Sequence, residues 1–270
     1  MPNINAHKPG SFCWVELGTT DQNAAKKFYG SLFGWAPNDN PVGPDGVYTI
    51  FRLQDRDAAA AYTLRAEDRA RGVPPHWMIY IAIENADDAA GRVNQLGGKI
   101  LAPPFDVMDA GRMAVVQDPT GAMFSLWQAK KSSGIGIAEI PGTLCWADLS
   151  TRDQGRARGF YSDLFGWKMN DDSDDDPPSG YVHIQNGDDF IGGVLPPAYV
   201  NPHAPPHWMP YFLVANCDNS AAQGKQLGAK IYMEPKTLEN AGRFAVLADP
   251  QGAAFSIFQV IPRKALAGQS

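Results

Sequence analysis

Apolar positions along the chain follow two periods in turn. Residues Phe12 to Leu17 alternate and end at a turn, the period-two pattern of a half-buried strand. After Thr20 and Asp21, which supply an N-cap, apolar residues recur at Ala25, Phe28, Tyr29, Leu32 and Phe33. That spacing predicts one face of a helix, which Gly34 ends. Strands are predicted at Tyr48 to Leu53 and near Ala58 to Leu64. The same grammar then restarts, with a strand at Met78 to Ile83. A helix opens at Asp87, runs through Ala90, Val93 and Leu96, and closes at Gly97. Strands near Met113 to Val116 and Ala122 to Gln128 follow, joined by the turn Asp118-Pro119-Thr120-Gly121. The unit is read as βαβββ, three of its four strands being marked by these periods, which predicts an α+β fold and not a doubly wound parallel sheet.

The whole pattern is written twice. Shifted by 132 positions, the segments Gly10 to Asp39 and Gly142 to Asp171 agree at 16 of 30 places. Downstream the shift is 131. Pro74-Pro75-His76-Trp77-Met78 returns as Pro205-Pro206-His207-Trp208-Met209, and Ala110-Gly111-Arg112 as Ala241-Gly242-Arg243. Asp118-Pro119 with Gly121-Ala122 returns as Asp249-Pro250 with Gly252-Ala253. Two homologous domains are therefore expected, at residues 9–130 and 141–262, with residues 131–140 as a Gly/Ser-containing linker. Each domain holds the βαβββ unit twice.

Composition changes this picture little. The chain has 270 residues, of which 44% are hydrophobic and 19% charged, the balance of a soluble globular protein. No apolar run approaches the roughly 20 residues of a membrane helix, and the first residues carry no secretory pattern. Three cysteines, an odd number, point to reduced thiols and a cytoplasmic setting. The net charge of -6 disfavours nucleic acid as a partner. Most of that charge lies in the second half and in one run, Asp171-Asp172-Ser173-Asp174-Asp175-Asp176. The run lacks the glycine and ligand spacing of a calcium loop and reads as solvated.

These motifs carry a resemblance. A strand, then Asp-x-x-Ala-x-x-Phe-Tyr-x-x-Leu-Phe-Gly-Trp, a restarted strand and helix ending Leu-Gly, and a closing Asp-Pro-x-Gly resemble the vicinal oxygen chelate superfamily. That group includes glyoxalases, bleomycin resistance proteins and extradiol dioxygenases. The chain is most similar to its tandem-domain branch, whose members are labelled glyoxalases or hydroxylases. The resemblance covers residues 10–130 and 141–260. It implies that each domain curls its strands into a cup around a small-molecule cavity. It also implies that metal-using members hold a divalent ion at positions that align here with Trp14, Met78 and Ser125, and with Trp146, Met209 and Ser256. None of these six is a usual ligand for a hard cation. No metal or other cofactor is therefore expected. A divalent metal held by non-standard ligands is the alternative.

Strand parity selects the residues that face each cup. In the first domain these are Trp14 and Glu16, Met78, Tyr80 and Ala82, and Ser125 and Trp127. The counterparts are Trp146 and Asp148, Met209 and a neighbour near Tyr211, and Ser256 and Phe258. Glu16 and Asp148 are candidate general bases, because a carboxylate among aromatic side chains has a raised pKa. The competing role is an ion pair with Arg112 and Arg243, the cations of the Ala-Gly-Arg repeat, which then orient ligand. His76 and His207 sit at strand entrances after two prolines, near the cup mouth, and read as structural. His183 has no counterpart in the repeat and reads as incidental. Cys13 and Cys145 face the helices and read as inert.

The expected function is binding of a small organic molecule in an aromatic cup. The alternative is a glyoxalase-like lyase or a dioxygenase or hydroxylase with unusual metal ligands. Four modules in one chain are compatible with a monomer or a homodimer.

Overall fold

The computed structural model describes residues 3–43, 46–171, 179–239 and 241–261. The acidic run beyond Asp171 lies outside these residues. The first module comprises β1 (Phe12–Thr19), α1 (Gln22–Phe33), β2 (Ala36–Pro41), β3 (Val47–Leu53) and β4 (Arg56–Thr63). A short helix, α2 (Ala66–Ala70), leads to the second module. This holds β5 (His76–Ala82), α3 (Ala86–Gln95), β6 (Lys99–Val107), β7 (Gly111–Gln117) and β8 (Met123–Ala129). The second domain repeats the order. Its third module is β9 (Leu144–Ser150), α4 (Gln154–Phe165), β10 (Lys168–Asp171), β11 (Val182–Asn186) and β12 (Asp189–Val194). Its fourth is β13 (His207–Leu213), α5 (Cys217–Gln226), β14 (Lys230–Leu238), β15 (Gly242–Ala248) and β16 (Ala254–Val260). The fold is α+β, four βαβββ modules in two sheets.

Each domain is one eight-stranded sheet, ordered β2-β3-β4-β1-β5-β8-β7-β6 and β10-β11-β12-β9-β13-β16-β15-β14. Within a module the first and last strands pair in parallel, and the two modules join through their antiparallel first strands. Helix α1 starts at Asp21, whose carboxylate accepts from the Ala24 N–H, and stops at Gly34 in the left-handed region. Strands β2 and β6 are absent from the sequence reading. Both are edge strands carrying prolines (Pro37, Pro41, Pro103 and Pro104), which an edge tolerates because its outer N–H groups need no partner.

The two sheets meet back to back. On the helix side of β5, Trp77 packs against Phe212 of β13, with ring centroids 5.3 Å apart. Helix α1 sends Phe28 and Phe33 onto Phe255 and Phe212 of the other domain, and α4 sends Tyr161 onto Phe124 of the first. The core is thus shared: both large hydrophobic clusters contain residues of both domains. The opposite faces, the cups, point away from each other.

The linker is packed between strands. Ile135 N–H donates to Cys13 O at 2.8 Å and Gly136 N–H to Asp57 O at 2.8 Å, filling the gap between β1 and β4 upstream of their own pairing. Gly134 is required there, since a Cβ would sit 2.1 Å from Cys13 O. Ile135 and Ile137 are buried.

Candidate functional site

In the first cup, strand β1 presents Trp14, Glu16 and Gly18 on the face away from the helices. The register sets Glu16 between Ala60 of β4 and Met78 of β5. Tyr80 of β5 donates its hydroxyl to Glu16 Oε1 at 2.5 Å, and Tyr48 donates to Oε2 at 2.9 Å. Tyr48 stands on β3, two strands from β1. Adjacent strands lie about 4.8 Å apart, so this tyrosine, opposite Tyr62 of β4, reaches past β4 to Glu16. The Trp14 indole donates to the Tyr48 hydroxyl at 3.0 Å. Ser125 pairs with Tyr80, and Trp127 stacks edge-on to the Tyr80 ring at 6.2 Å.

The second cup is built alike with one methylene less. Tyr181 donates to Asp148 Oδ1 at 2.5 Å, Tyr211 to Oδ2 at 2.7 Å, and the Trp146 indole to Oδ1 at 3.0 Å. Asp148 is shorter than Glu16, so Tyr181 must come closer to the sheet. Its room comes from Gly193, which stands beside Asp148 where the first domain has Ala60. A Cβ on Gly193 would lie 1.9 Å from the Tyr181 oxygen. Met209 keeps its register opposite Asp148 and Tyr211 opposite Trp146, with Pro210 between them. Phe258 and Ser256 line the same face.

Burial raises the carboxyl pKa of both Glu16 and Asp148, and the tyrosine hydrogen bonds oppose it. Among the described residues, no lysine or arginine pairs with either. Arg112 and Arg243 do not partner them. Parity with Ala114 and Ala245 puts both arginines on the helix side of β7 and β15. There Arg112 forms a two-pronged pair with Asp87 (2.7 and 2.8 Å), and Arg243 with Asp218 (2.7 Å for both prongs). Asp87 and Asp218 lie in the first turns of α3 and α5. The ion-pair role expected from the repeat is therefore replaced by a strand–helix clamp outside the cups, and neither arginine lines a cup.

His183 is also placed differently from its sequence reading. It faces the second cup opposite Gly193, with ring centroids 4.9 Å from Tyr181 and 6.2 Å from Trp146. The first cup has Ile50 at this place, opposite Ala60. His76 and His207 bond to the carbonyls of Pro74 and Pro205 at 2.9 and 2.8 Å and shape the strand entrances. The Cys13 and Cys145 thiols are pushed up by burial, that of Cys145 to about 12. Tyr48 and Tyr181 escaped the sequence reading. The repeat carries both, but at a shift of 133, inside the loop-rich stretch where the two copies slip.

The side chains at the positions aligned with metal ligands do not fit a hard divalent ion. Trp14, Met78 and Ser125 offer an indole N–H, a thioether and a hydroxyl, and their counterparts Trp146, Met209 and Ser256 offer the same. Among the described residues no three His, Cys, Asp or Glu side chains cluster to hold one.

A family model described as the glyoxalase/bleomycin resistance protein/dioxygenase superfamily matches residues 11–126 and 143–257. A Mycobacterium tuberculosis protein named "Putative glyoxylase CFP32" is 40% identical over 265 residues, covering 98% of this chain and 100% of that protein. The anthracycline biosynthesis protein DnrV of Streptomyces peucetius is 32% identical over 262 residues, covering 93% and 94%. Among solved structures, the Mn(II)-bound glyoxalase from Novosphingobium aromaticivorans aligns with a TM-score of 0.64 at 17% identity, over 93% of this chain and 82% of that one. The 2,3-dioxygenase LapB of Pseudomonas sp. KL28 aligns at 0.62 and 13%, over 96% and 93%; both likenesses concern the fold alone. With two matched segments spanning both cups and a full-length relative at 40% identity, the chain belongs to the glyoxalase/bleomycin resistance protein/dioxygenase superfamily.

Proposed function

We propose that this chain binds flat, largely apolar organic molecules in its two cups, without the divalent ion that metal-using relatives hold there. One observation carries the reading. In both cups the first-strand position aligned with a metal ligand is a tryptophan, and its indole N–H is committed to a tyrosine–carboxylate network. Such a ring adds apolar stacking surface and offers no lone pair to a metal. The name of the Streptomyces relative, an anthracycline biosynthesis protein, supports polycyclic aromatics as first ligands to try. The test is elemental analysis of freshly purified protein, followed by calorimetric titration with an anthracycline. The expected result is no stoichiometric Zn, Ni, Mn or Fe, and binding that is lost in the double variant Trp14→Ala, Trp146→Ala. Stoichiometric metal, or binding unchanged in that variant, would overturn the reading.

A further inference from the structure

We propose that the first cup recognises an organic ammonium ion carried on a flat apolar body; this rests on the small-molecule reading above and names the charge its ligand carries. The argument begins with an unbalanced carboxylate. Glu16 is half-buried, and the cup around it holds Trp14, Tyr48, Tyr62, Tyr80, Met78 and Ser125, with His76 further along the same face opposite Gly18. A carboxylate has about four lone-pair sites. Two hydroxyl donors occupy one site on each oxygen of Glu16. No cation of the described residues completes the set. A partly desolvated charge without a countercharge is costly, and a ligand cation would supply one.

Access and surroundings favour that occupant. Glu16 is only half-buried on its own strand, whereas the flanking Trp14 is 9% exposed and Tyr80 is 4% exposed. The carboxylate is therefore reachable between aromatic walls. Rings beside a carboxylate are the surroundings in which an ammonium group gains both a charge-assisted hydrogen bond and cation–π attraction. A second, independent feature points the same way. The Ser125 hydroxyl, fully buried beside Tyr80 on the cup face, has no hydrogen-bond partner among the described residues. It is free to accept a second N–H of the same ligand. Its counterpart Ser256 has no partner either, so this feature marks both cups and the open carboxylate alone distinguishes the first. Tyr62 feels two negative charges, Glu16 and Asp68, and one positive, Arg65.

The second cup lacks this opening. Asp148 is 3% exposed, accepts from three donors and has the His183 ring beside its Tyr181 and Trp146 partners. Its carboxylate is closed within the protein. The two cups are thus unequal, and the cation site belongs to the first.

The experiment compares two probes of one shape at pH 7.5, by calorimetry on the full chain: 1-naphthylmethylamine, protonated at this pH, and the neutral 1-naphthylmethanol. The expected result is about tenfold tighter binding of the amine, the size of one desolvated charge contact. That preference should vanish in Glu16→Gln and persist in Asp87→Asn, which removes a carboxylate on the outer face. Equal binding of the two probes by the wild-type chain would overturn the ammonium site and leave the small-molecule reading standing. Failure of both probes and of the anthracycline would overturn both. The wild-type comparison needs no variant, so a misfolded Glu16→Gln protein would not blunt it.

Discussion

At the scale of single residues, the cups show how a methylene is offset. Replacing Glu16 by its counterpart Asp148 shortens the acid, and replacing Ala60 by Gly193 lets a tyrosine approach it. Gly193→Ala is expected to displace Tyr181 from Asp148 and destabilise the chain by about 1–3 kcal/mol, through overpacking and a weakened buried hydrogen bond. Denaturant unfolding checks this, and an unchanged midpoint would contradict it. The acids themselves make a pH prediction. A carboxyl whose pKa is raised by folding holds its proton more tightly in the folded chain. Its contribution to stability is therefore fully present below the ordinary values, 4.5 for Glu16 and 3.8 for Asp148, and is lost as pH rises through the raised folded values. Stability of the wild type relative to Glu16→Gln should accordingly fall as pH rises past about 5. Thermal unfolding of the pair across pH 4 to 8 measures it; a difference growing with pH would contradict the burial argument.

At the scale of elements, local chemistry and tertiary position divide the explanation. Helix α1 is set by its own residues: Asp21 caps it, five apolar side chains form one face, and Gly34 turns the chain out. Asp21→Ala should cost about 1 kcal/mol by freeing the Ala24 N–H, again read from the unfolding midpoint. Strand β6 is the opposite case. Pro103 and Pro104 disrupt any strand pattern, and the register slips between Ile100 and Ala102 and between Ala102 and Phe105. It is a strand only because β7 offers it an edge to lie along. The linker is a similar case. Its glycine and serine content suggests a tether, yet Gly134 is there so that the backbone can close on β1.

At the scale of the whole molecule, the duplication is used to join the halves. Tyr29 of α1 donates to Asp249 in the turn of the second domain, and Tyr161 of α4 donates to Asp118 in the turn of the first, both at 3.0 Å. The Trp35 indole donates to Gly142 O and the Trp167 indole to Gly10 O. The motif Asp-Pro-x-Gly is therefore more than a hairpin turn. Its aspartate caps the turn with one oxygen and ties down the other domain with the second. Because α1 and α4 are buried against both sheets, the chain should unfold in one cooperative transition. Tyr161→Phe should lower stability by about 1–3 kcal/mol, leaving Asp118 and the Trp208 indole short of a buried partner. Two separate calorimetric transitions would contradict the shared core.

The sequence by itself determined the helix and inner strands of the module, its fourfold repetition and the faces of those strands. These follow from local periods of two and 3.6 and from caps and turns, all of which act over a few residues. It also brought Trp14, Glu16, Tyr80 and Ser125 to one face, because alternation holds along a strand whatever the sheet does. Only the tertiary structure decided which tyrosines reach the acids, that Arg112 and Arg243 turn to Asp87 and Asp218, and that His183 enters the second cup. Those outcomes depend on strand order, on strand neighbours distant in sequence and on a single glycine, and no local period encodes them.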